Sequence, residues 1–222
     1  MKKLSQFLDN TADTQRIERK FLLRRGQCLL AERSLKRGFF KKKFANRKVN
    51  SIYFDDINFS ALRDNIDGNP YRDKLRVRWY NNTFEKATIE IKHKRNIIGY
   101  KTSIPIIGHK TEDDLINAVC IWIRYNVSEQ LFPTSQVQYH RTYYVNSNFR
   151  ATVDRNIQSF RRTNGKLISP KNINYEVVEL KYALSDDDIA RDLIGKLDTI
   201  SLRATKSSKY ANSIMDFNIP AY

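Results

Sequence analysis

The chain has 222 residues, of which 41% are hydrophobic, so it can bury a core and disorder is excluded as its main state. Its 40 Lys and Arg residues outnumber its 24 Asp and Glu residues, which gives a formal net charge of +16. This charge favours polyanionic partners such as nucleic acid, an acidic membrane surface or a phosphorylated molecule.

Cysteine usage and hydropathy limit the protein class further. Cys28 and Cys120 lie far apart in the sequence, so neither a disulfide framework nor a zinc site is indicated. The most apolar window, around residues 118–123, is too short to span a bilayer. We expect a cytoplasmic protein, with attachment to the inner face of a membrane as an alternative. Because Gly and Pro are too few to mark a linker, residues 1–222 are expected to form one domain with its core at about 14–217.

Eight β-strands are predicted from residues that alternate between polar and apolar and from β-branched or aromatic content. In chain order these strands are Thr14–Leu22, Lys48–Phe54, Tyr71–Asn81, Phe84–Arg95, Ile97–Pro105, Gln136–Val145, Phe149–Ile157 and Asn174–Ala183. Helical patterns cover about 26–36, Asn58–Ile66, Glu112–Tyr125, Asp186–Leu197 and Lys206–Met215. Short Asn-containing gaps are typical of hairpins, so the predicted fold is α+β, mainly β, with an antiparallel sheet that can close into a barrel.

Basic residues occupy one face of several predicted strands. In KLRVRWY, the residues Lys74, Arg76 and Arg78 share a face, while the apolar residues between them point the other way. Two interpretations are open. These faces are either solvated outer surfaces, or they line a barrel whose interior is cationic and whose apolar exterior is covered by helices. A cationic interior repels itself when empty and therefore requires a polyanion, and carboxylates on the same faces could hold a divalent cation.

The motifs RIERKF, YFDD, KLRVRWY, EIKHK, YHR, VDRN, VELKY and SSKY occur in this order between about Thr14 and Tyr210. Together they resemble the VTC domain, the polyphosphate polymerase domain of the triphosphate tunnel metalloenzyme (CYTH-like) superfamily. The resemblance implies an eight-stranded antiparallel tunnel that binds triphosphate or polyphosphate together with a divalent metal, Mn²⁺ or Mg²⁺.

The resemblance also implies roles for individual residues. The basic residues expected to act on the reacting phosphates are Lys20, Arg76, Arg78, Lys92, Arg141 and Arg150. Further phosphate contacts are expected from Lys74, Lys94, Lys101, Tyr139, Lys181, Ser208 and Lys209. The metal is expected at Glu179, with Glu18 either as a second ligand or as the partner of a lysine. Arg155 is an alternative to Arg150, although alternation favours Arg150 because it shares a face with Asp154.

Arg16 distinguishes between activities. Hydrolytic and cyclase members of the superfamily usually begin with ExExK, whereas this chain has Arg16 at the first position of that motif. The missing carboxylate favours a polyphosphate polymerase that transfers the γ-phosphate of a nucleoside triphosphate to a polyphosphate chain. The alternatives are an inorganic or organic triphosphatase and a module that binds polyphosphate or nucleic acid without catalysis.

A second basic region, residues 36–48, lies outside the expected tunnel. It is interpreted either as a solvated helix end or as a docking surface for polyphosphate, nucleic acid or membrane. We expect no dedicated nucleic-acid partner. The chain shows neither the SPX domain nor the membrane helices that accompany eukaryotic VTC polymerases, so a membrane subunit, if used, is expected to be a separate chain.

Overall fold

A computed structural model describes residues 3–4, 16–163, 166–168, 170–197, 204–205 and 207–215. The strands are β1 (Ile17–Arg24), β2 (Lys41–Asp55), β3 (Tyr71–Tyr80), β4 (Thr83–Arg95), β5 (Ile98–Ile107), β6 (Phe132–Asn146), β7 (Phe149–Thr163), β8 (Lys166–Leu167), β9 (Lys171–Asn172) and β10 (Tyr175–Tyr182). The helices are α1 (Cys28–Arg37), α2 (Ser60–Ile66), α3 (Glu112–Asn126), α4 (Asp187–Leu197) and α5 (Lys209–Met215). The predicted start of the first strand and Lys206, the predicted start of the last helix, lie outside the described residues.

The long strands form one antiparallel sheet in the order β1-β10-β7-β6-β2-β3-β4-β5. Asn81, Asn96 and Ser147 occupy the left-handed region at the tight turns between neighbouring strands. Asn tolerates this conformation, which is why the predicted hairpins form at these positions. The sheet curls into a tunnel without a closing ladder. Among the described residues, β1 and β5 at its two edges are joined by one isolated bridge, Arg16–Gly99.

The apolar faces of the strands point outward and are covered by helices. Helix α3 packs Leu115, Val119 and Ile123 against the outer sides of β3 and β4. Helices α1 and α4 cover β1, β7 and β10 in the same way. Burying an aliphatic side chain of this size contributes about 1.5–3 kcal/mol, so these outer clusters hold the tunnel in shape. The predicted antiparallel tunnel with an apolar exterior is confirmed, although no continuous ladder closes the sheet among the described residues.

Unlike α1, α3 and α4, helix α5 packs against the inner face of the sheet, with Leu62 of α2 in the same cluster. Tyr210 and Ile214 are buried in a cluster with Tyr53, Tyr139 and Val177, which all lie on the tunnel side of their strands. The sequence predicts this helix but not its position inside the tunnel.

Candidate functional site

The inner face of the sheet carries the charged residues of each strand. In the β1–β10 ladder, Glu18 lies opposite Lys181 and Lys20 lies opposite Glu179. Directly paired residues of an antiparallel ladder point to the same side, so these four side chains all face the tunnel. In β10 the intervening residue Leu180 is buried beneath the outer helices. One period-2 pattern therefore explains both the apolar exterior and the charged lining.

The first cluster joins β1, β4 and β10. The Lys92 ammonium lies 2.6 Å from a carboxylate oxygen of Glu18 and thereby crosses the gap between the two sheet edges. The Lys181 ammonium lies 3.3 Å from Glu18 and 2.9 Å from Glu179, so one cation bridges the two carboxylates. Lys20 donates a hydrogen bond to the Ser207 carbonyl at 3.0 Å. Solvent reaches this cluster, because the side chains of Lys92 and Lys181 are about one-third exposed, at 34% and 30%.

Electrostatics keep both carboxylates of this cluster ionised. Burial acts to raise the pKa of Glu18, but the nearby lysines, Lys92 first, more than offset it and bring the pKa well below its ordinary value. The pKa of Glu179 is also lowered, because Lys181 and Lys20 outweigh its burial. The two carboxylates in turn raise the pKa of Lys181 to about 12 despite burial. Glu18, Glu179 and Lys181 are therefore all held in their charged forms.

The second cluster lies on β3, β4 and β5 around Glu90. Its buried carboxylate accepts from Arg76 Nε at 2.8 Å and from Lys101 Nζ at 3.0 Å. The Arg78 guanidinium lies 3.5 Å from the same carboxylate. Burial raises the pKa of Glu90, but these cations, Arg76 first, bring it well below its usual range. One carboxylate faces three cations here, so this wall of the tunnel keeps a net positive charge.

The third cluster lies on β6, β7 and α5. Arg141 holds Asp154 with two hydrogen bonds of 2.6 and 2.8 Å, and Lys209 Nζ lies 2.6 Å from the same carboxylate. Asp154 is fully buried, which makes both charge-assisted contacts strong. The Tyr139 ring lies between these cations, 5.1 Å from the Arg141 guanidinium and 4.8 Å from Lys209 Nζ. Its hydroxyl accepts a 3.3 Å hydrogen bond from Arg78, which links this cluster to the second.

Residues at the α5 end of the tunnel contact strands on several sides. Lys74 of β3 donates to the Ser208 hydroxyl at 2.9 Å. Tyr210 stacks on Tyr53 with ring centroids 5.1 Å apart and donates a 2.5 Å hydrogen bond to Asp55. Asp55 belongs to the YFDD motif, and its carboxylate also accepts hydrogen bonds from the first backbone amides of α2. Helix α5 therefore occupies the inner face at this end of the tunnel.

Three of the residues predicted to contact phosphate lie at the margin of the tunnel and not among its central clusters. Arg150 is exposed at the end opposite α5, on the same face as Lys181, its partner in the β7–β10 ladder. Lys94 donates to the Ile97 carbonyl in the turn between β4 and β5. The Lys101 side chain is half exposed although it contacts Glu90. Arg155, the alternative to Arg150, lies on the outer side with its guanidinium 2.6 Å from Glu32 of α1.

Glu18 and Glu179 are suited to a hard divalent cation. Mg²⁺ typically binds through one or two carboxylates together with substrate phosphates and water, and these two carboxylates converge closely enough to share the Lys181 ammonium. A metal at this position would replace that ammonium. Among the described residues, no group of three or more His, Cys, Asp or Glu side chains could hold a metal by itself. The donor set therefore fits a cation that is bound jointly with phosphate.

Comparison with known proteins places this geometry in a family. The VTC domain matches residues 15–218. The chain belongs to the VTC domain family. Members of this family typically act on triphosphates, and the triphosphate tunnel superfamily depends on divalent metals. The resemblance that the motifs predict is thus confirmed. Comparison with curated proteins gives no match.

Solved structures share the fold at low sequence identity. PH1012 from Pyrococcus horikoshii OT3 is 19% identical, with a TM-score of 0.56 over 87% of this chain and 96% of that one. A candidate adenylate cyclase from Vibrio parahaemolyticus is 11% identical, with a TM-score of 0.55 over 89% and 98%. HpAC1 from Hippeastrum, a candidate adenylyl cyclase described as having a dominant triphosphatase activity, is 12% identical, with a TM-score of 0.52 over 92% and 98%. These likenesses support the tunnel fold of this VTC domain.

Three lining residues received no role from the sequence. The Tyr53 hydroxyl faces the tunnel, where it accepts a 3.2 Å hydrogen bond from Arg76. Glu90 and Asp154 each bind two or more of the predicted cations. Alternation alone places Glu90 on one face with Lys92 and Asp154 on one face with Arg150, but it does not show which cations approach from other strands.

In the described part of this VTC domain, no helix is long and apolar enough to cross a membrane.

Proposed function

We propose that this VTC domain is a polyphosphate polymerase that transfers the γ-phosphate of a nucleoside triphosphate to the end of a polyphosphate chain. The observation that carries the proposal is the excess of cations in the lining. Each carboxylate of the three clusters is already paired with at least one Lys or Arg, and several cations share one carboxylate. The remaining positive charge suits a ligand with many negative charges.

The proposed transfer requires no nucleophile from the protein. A terminal oxygen of the polyphosphate chain attacks the γ-phosphorus, and the bond from that phosphorus to the β–γ bridging oxygen breaks, releasing the nucleoside diphosphate. The attacking terminal phosphate is already ionised, so no protein base is needed. Arg76, Arg78 and Arg141 would hold the phosphate oxygens in line through guanidinium N–H groups that Glu90 and Asp154 do not occupy.

A divalent metal would be held by Glu18 and Glu179 and would neutralise charge on the phosphate oxygens. The role of the protein is to keep both carboxylates ionised, which the lowered pKa values of Glu18 and Glu179 support. Lys181 lies between them and would then turn to the phosphate. A cytoplasmic location, one domain over the whole chain and a separate membrane subunit belong to the same proposal.

The direct test is product analysis of the purified protein with ATP and Mn²⁺. We expect chains that gel electrophoresis resolves, and we expect Arg76→Lys and Glu179→Gln each to lower the rate roughly a hundredfold or more, as happens when a preorganised charge is removed from a transition state. Arg76→Lys keeps a positive charge beside the buried Glu90, which limits the effect on folding. Arg191→Lys on the exposed surface of α4 is the matched control and should leave the rate unchanged.

A second candidate function is triphosphate hydrolysis, and the position of α5 favours it. A growing chain needs room along the tunnel, whereas α5 fills one end through Tyr210 and Ile214. HpAC1, which has the same fold, is described as a triphosphatase. Release of orthophosphate without chains would establish hydrolysis and overturn the polymerase. Neither product, with triphosphate still bound, would indicate a binding module.

A further inference from the structure

Strand β2 is longer than the sequence predicts and extends beyond the tunnel wall. Its first half, from Lys41 to Arg47, pairs with β6. Its pairing with β3 begins only at Val49, opposite Tyr80. The basic region at residues 36–48 is therefore mainly a strand that projects beside the end of the tunnel opposite α5. The first half of β2 is not needed to form the tunnel wall, so its role is a separate question.

The projecting strand forms an aromatic and cationic surface with its neighbours, which we call the lip: Phe44, Arg47, Tyr80 and Tyr143. The Arg47 guanidinium lies between two rings, 5.2 Å from the centroid of Phe44 and 5.6 Å from that of Tyr80. Tyr143 meets Phe44 edge to face with centroids 5.6 Å apart. Although Lys43 also lies over its ring, Phe44 remains 43% exposed.

The lip is continuous with the cations of the tunnel. Tyr80 and Tyr143 each follow a tunnel arginine by two positions, Arg78 and Arg141, so each lies roughly 7 Å further along its strand on the same face. The Arg141 guanidinium itself lies 5.9 Å from the Tyr143 ring centroid. A ligand that reaches from the tunnel arginines towards this end therefore meets the lip next.

The orientation of the nucleotide follows from the position of α5. Because α5 occupies the inner face of the sheet at the other end, the bulky nucleoside would remain on the lip side while its phosphates point into the tunnel. Its base would then remain at the lip. Exposed ring faces are negatively polarised and repel phosphate, whereas every nucleobase has a face that can stack on aromatic rings and on arginine.

We propose that the lip is a stacking site for the base of the nucleoside triphosphate. This inference rests on the proposed function, because it assumes that the tunnel binds the triphosphate. Stacking on rings and guanidinium groups discriminates weakly among bases, since no hydrogen-bonding edge is read. The lip therefore distinguishes a nucleotide from inorganic triphosphate more strongly than it distinguishes ATP from GTP.

The test compares two ligands by calorimetry in EDTA: inorganic triphosphate and the imido analogue of ATP, which carries nitrogen at the β–γ bridge. We expect Phe44→Leu to raise the Kd of the ATP analogue roughly fivefold or more, because it removes one stacking surface. It should leave the Kd of inorganic triphosphate unchanged. Phe44→Trp should keep the affinity of the parent chain. The matched control is Phe132→Leu, because Phe132 is also 43% exposed but begins β6 at the other end.

Each other outcome overturns a specific statement. If Phe44→Leu raises the Kd of both ligands equally, the lip contacts phosphate. If it raises neither Kd, the base lies elsewhere. Both results overturn the stacking site. Either result leaves the proposed function standing if Arg78→Lys weakens both ligands. If the parent chain binds neither ligand in EDTA, and adding Mg²⁺ does not restore binding, the proposed function fails and the stacking site fails with it.

Discussion

The two ends of the tunnel differ in how their polar groups are satisfied. At the α5 end, Asp154, Tyr210 and Ser213 are buried, and each has hydrogen-bond partners within the protein. At the lip end, Phe44 and Arg150 are exposed and the rings contact cations. Buried satisfied groups support a fold, whereas exposed charges and rings remain available to a ligand. Substitutions at the α5 end are therefore expected to lower stability, in addition to any effect on phosphate contacts there, and substitutions at the lip end are expected to act mainly on ligand binding.

Among substitutions that test this difference, we expect Asp154→Asn to have the largest effect on stability. Asp154→Asn removes a fully buried carboxylate from between Arg141 and Lys209, and breaking a buried ion pair in this way lowers the free energy of unfolding by about 3–5 kcal/mol. Denaturant unfolding measures this loss of free energy. The buffer must be free of phosphate, because a bound anion would compensate the charges of Arg141 and Lys209. The exposed Asp67→Asn is the control and should change stability by less than about 0.5 kcal/mol. Equal stability of the two variants would contradict the structural role of the α5 end.

A smaller effect is expected from Tyr210→Phe. The variant keeps the ring that stacks on Tyr53 but removes the hydroxyl that donates to the buried Asp55. Loss of one donor to a buried carboxylate costs about 1–3 kcal/mol of unfolding free energy. Tyr125→Phe on the exposed side of α3 should be neutral in the same measurement. If Tyr210→Phe is equally neutral, the hydroxyl does not hold α5 in the tunnel.

The pH dependence of triphosphate binding tests the cations next to α5. Burial and the neighbouring Lys20 and Lys92 lower the pKa of Lys74 well below its ordinary 10.5. A bound phosphate raises this pKa again, so between the two values binding takes up a proton and affinity falls as pH rises. The loss is at most about tenfold per pH unit for one group. Calorimetry as a function of pH should show a shallower dependence for Lys74→Gln; an unchanged slope would mean that Lys74 does not meet the ligand.

Alternation of polar and apolar residues made most of the tunnel predictable. KLRVRWY and VELKY each combine a charged inner face with an apolar outer face, so strand position and side-chain direction could be read from the sequence alone. The turns at Asn81 and Asn96 carry their own conformational signal. Alternation and turn preference depend only on residues that are close together in the chain, which is why both features could be predicted from the sequence.

The parts that the sequence did not predict depend on contacts between distant segments. The first half of β2, KKKFANR, lacks alternation because it pairs with β6 on one side and both of its faces reach solvent. Nothing within the seven residues of α5 shows that the helix enters the tunnel; partners such as Asp55 and Ser135 decide it. The pairing of Glu90 with Lys101 likewise joins neighbouring strands whose register is set by the whole sheet.

The position of α5 also fixes the order of events in a catalytic cycle. If the base stacks at the lip as proposed, the nucleoside diphosphate would leave by the side from which the triphosphate entered. For the proposed transfer, the nucleoside diphosphate would have to depart before the next triphosphate is admitted. Product and substrate would then exclude one another, so inhibition by the diphosphate would be competitive with the triphosphate.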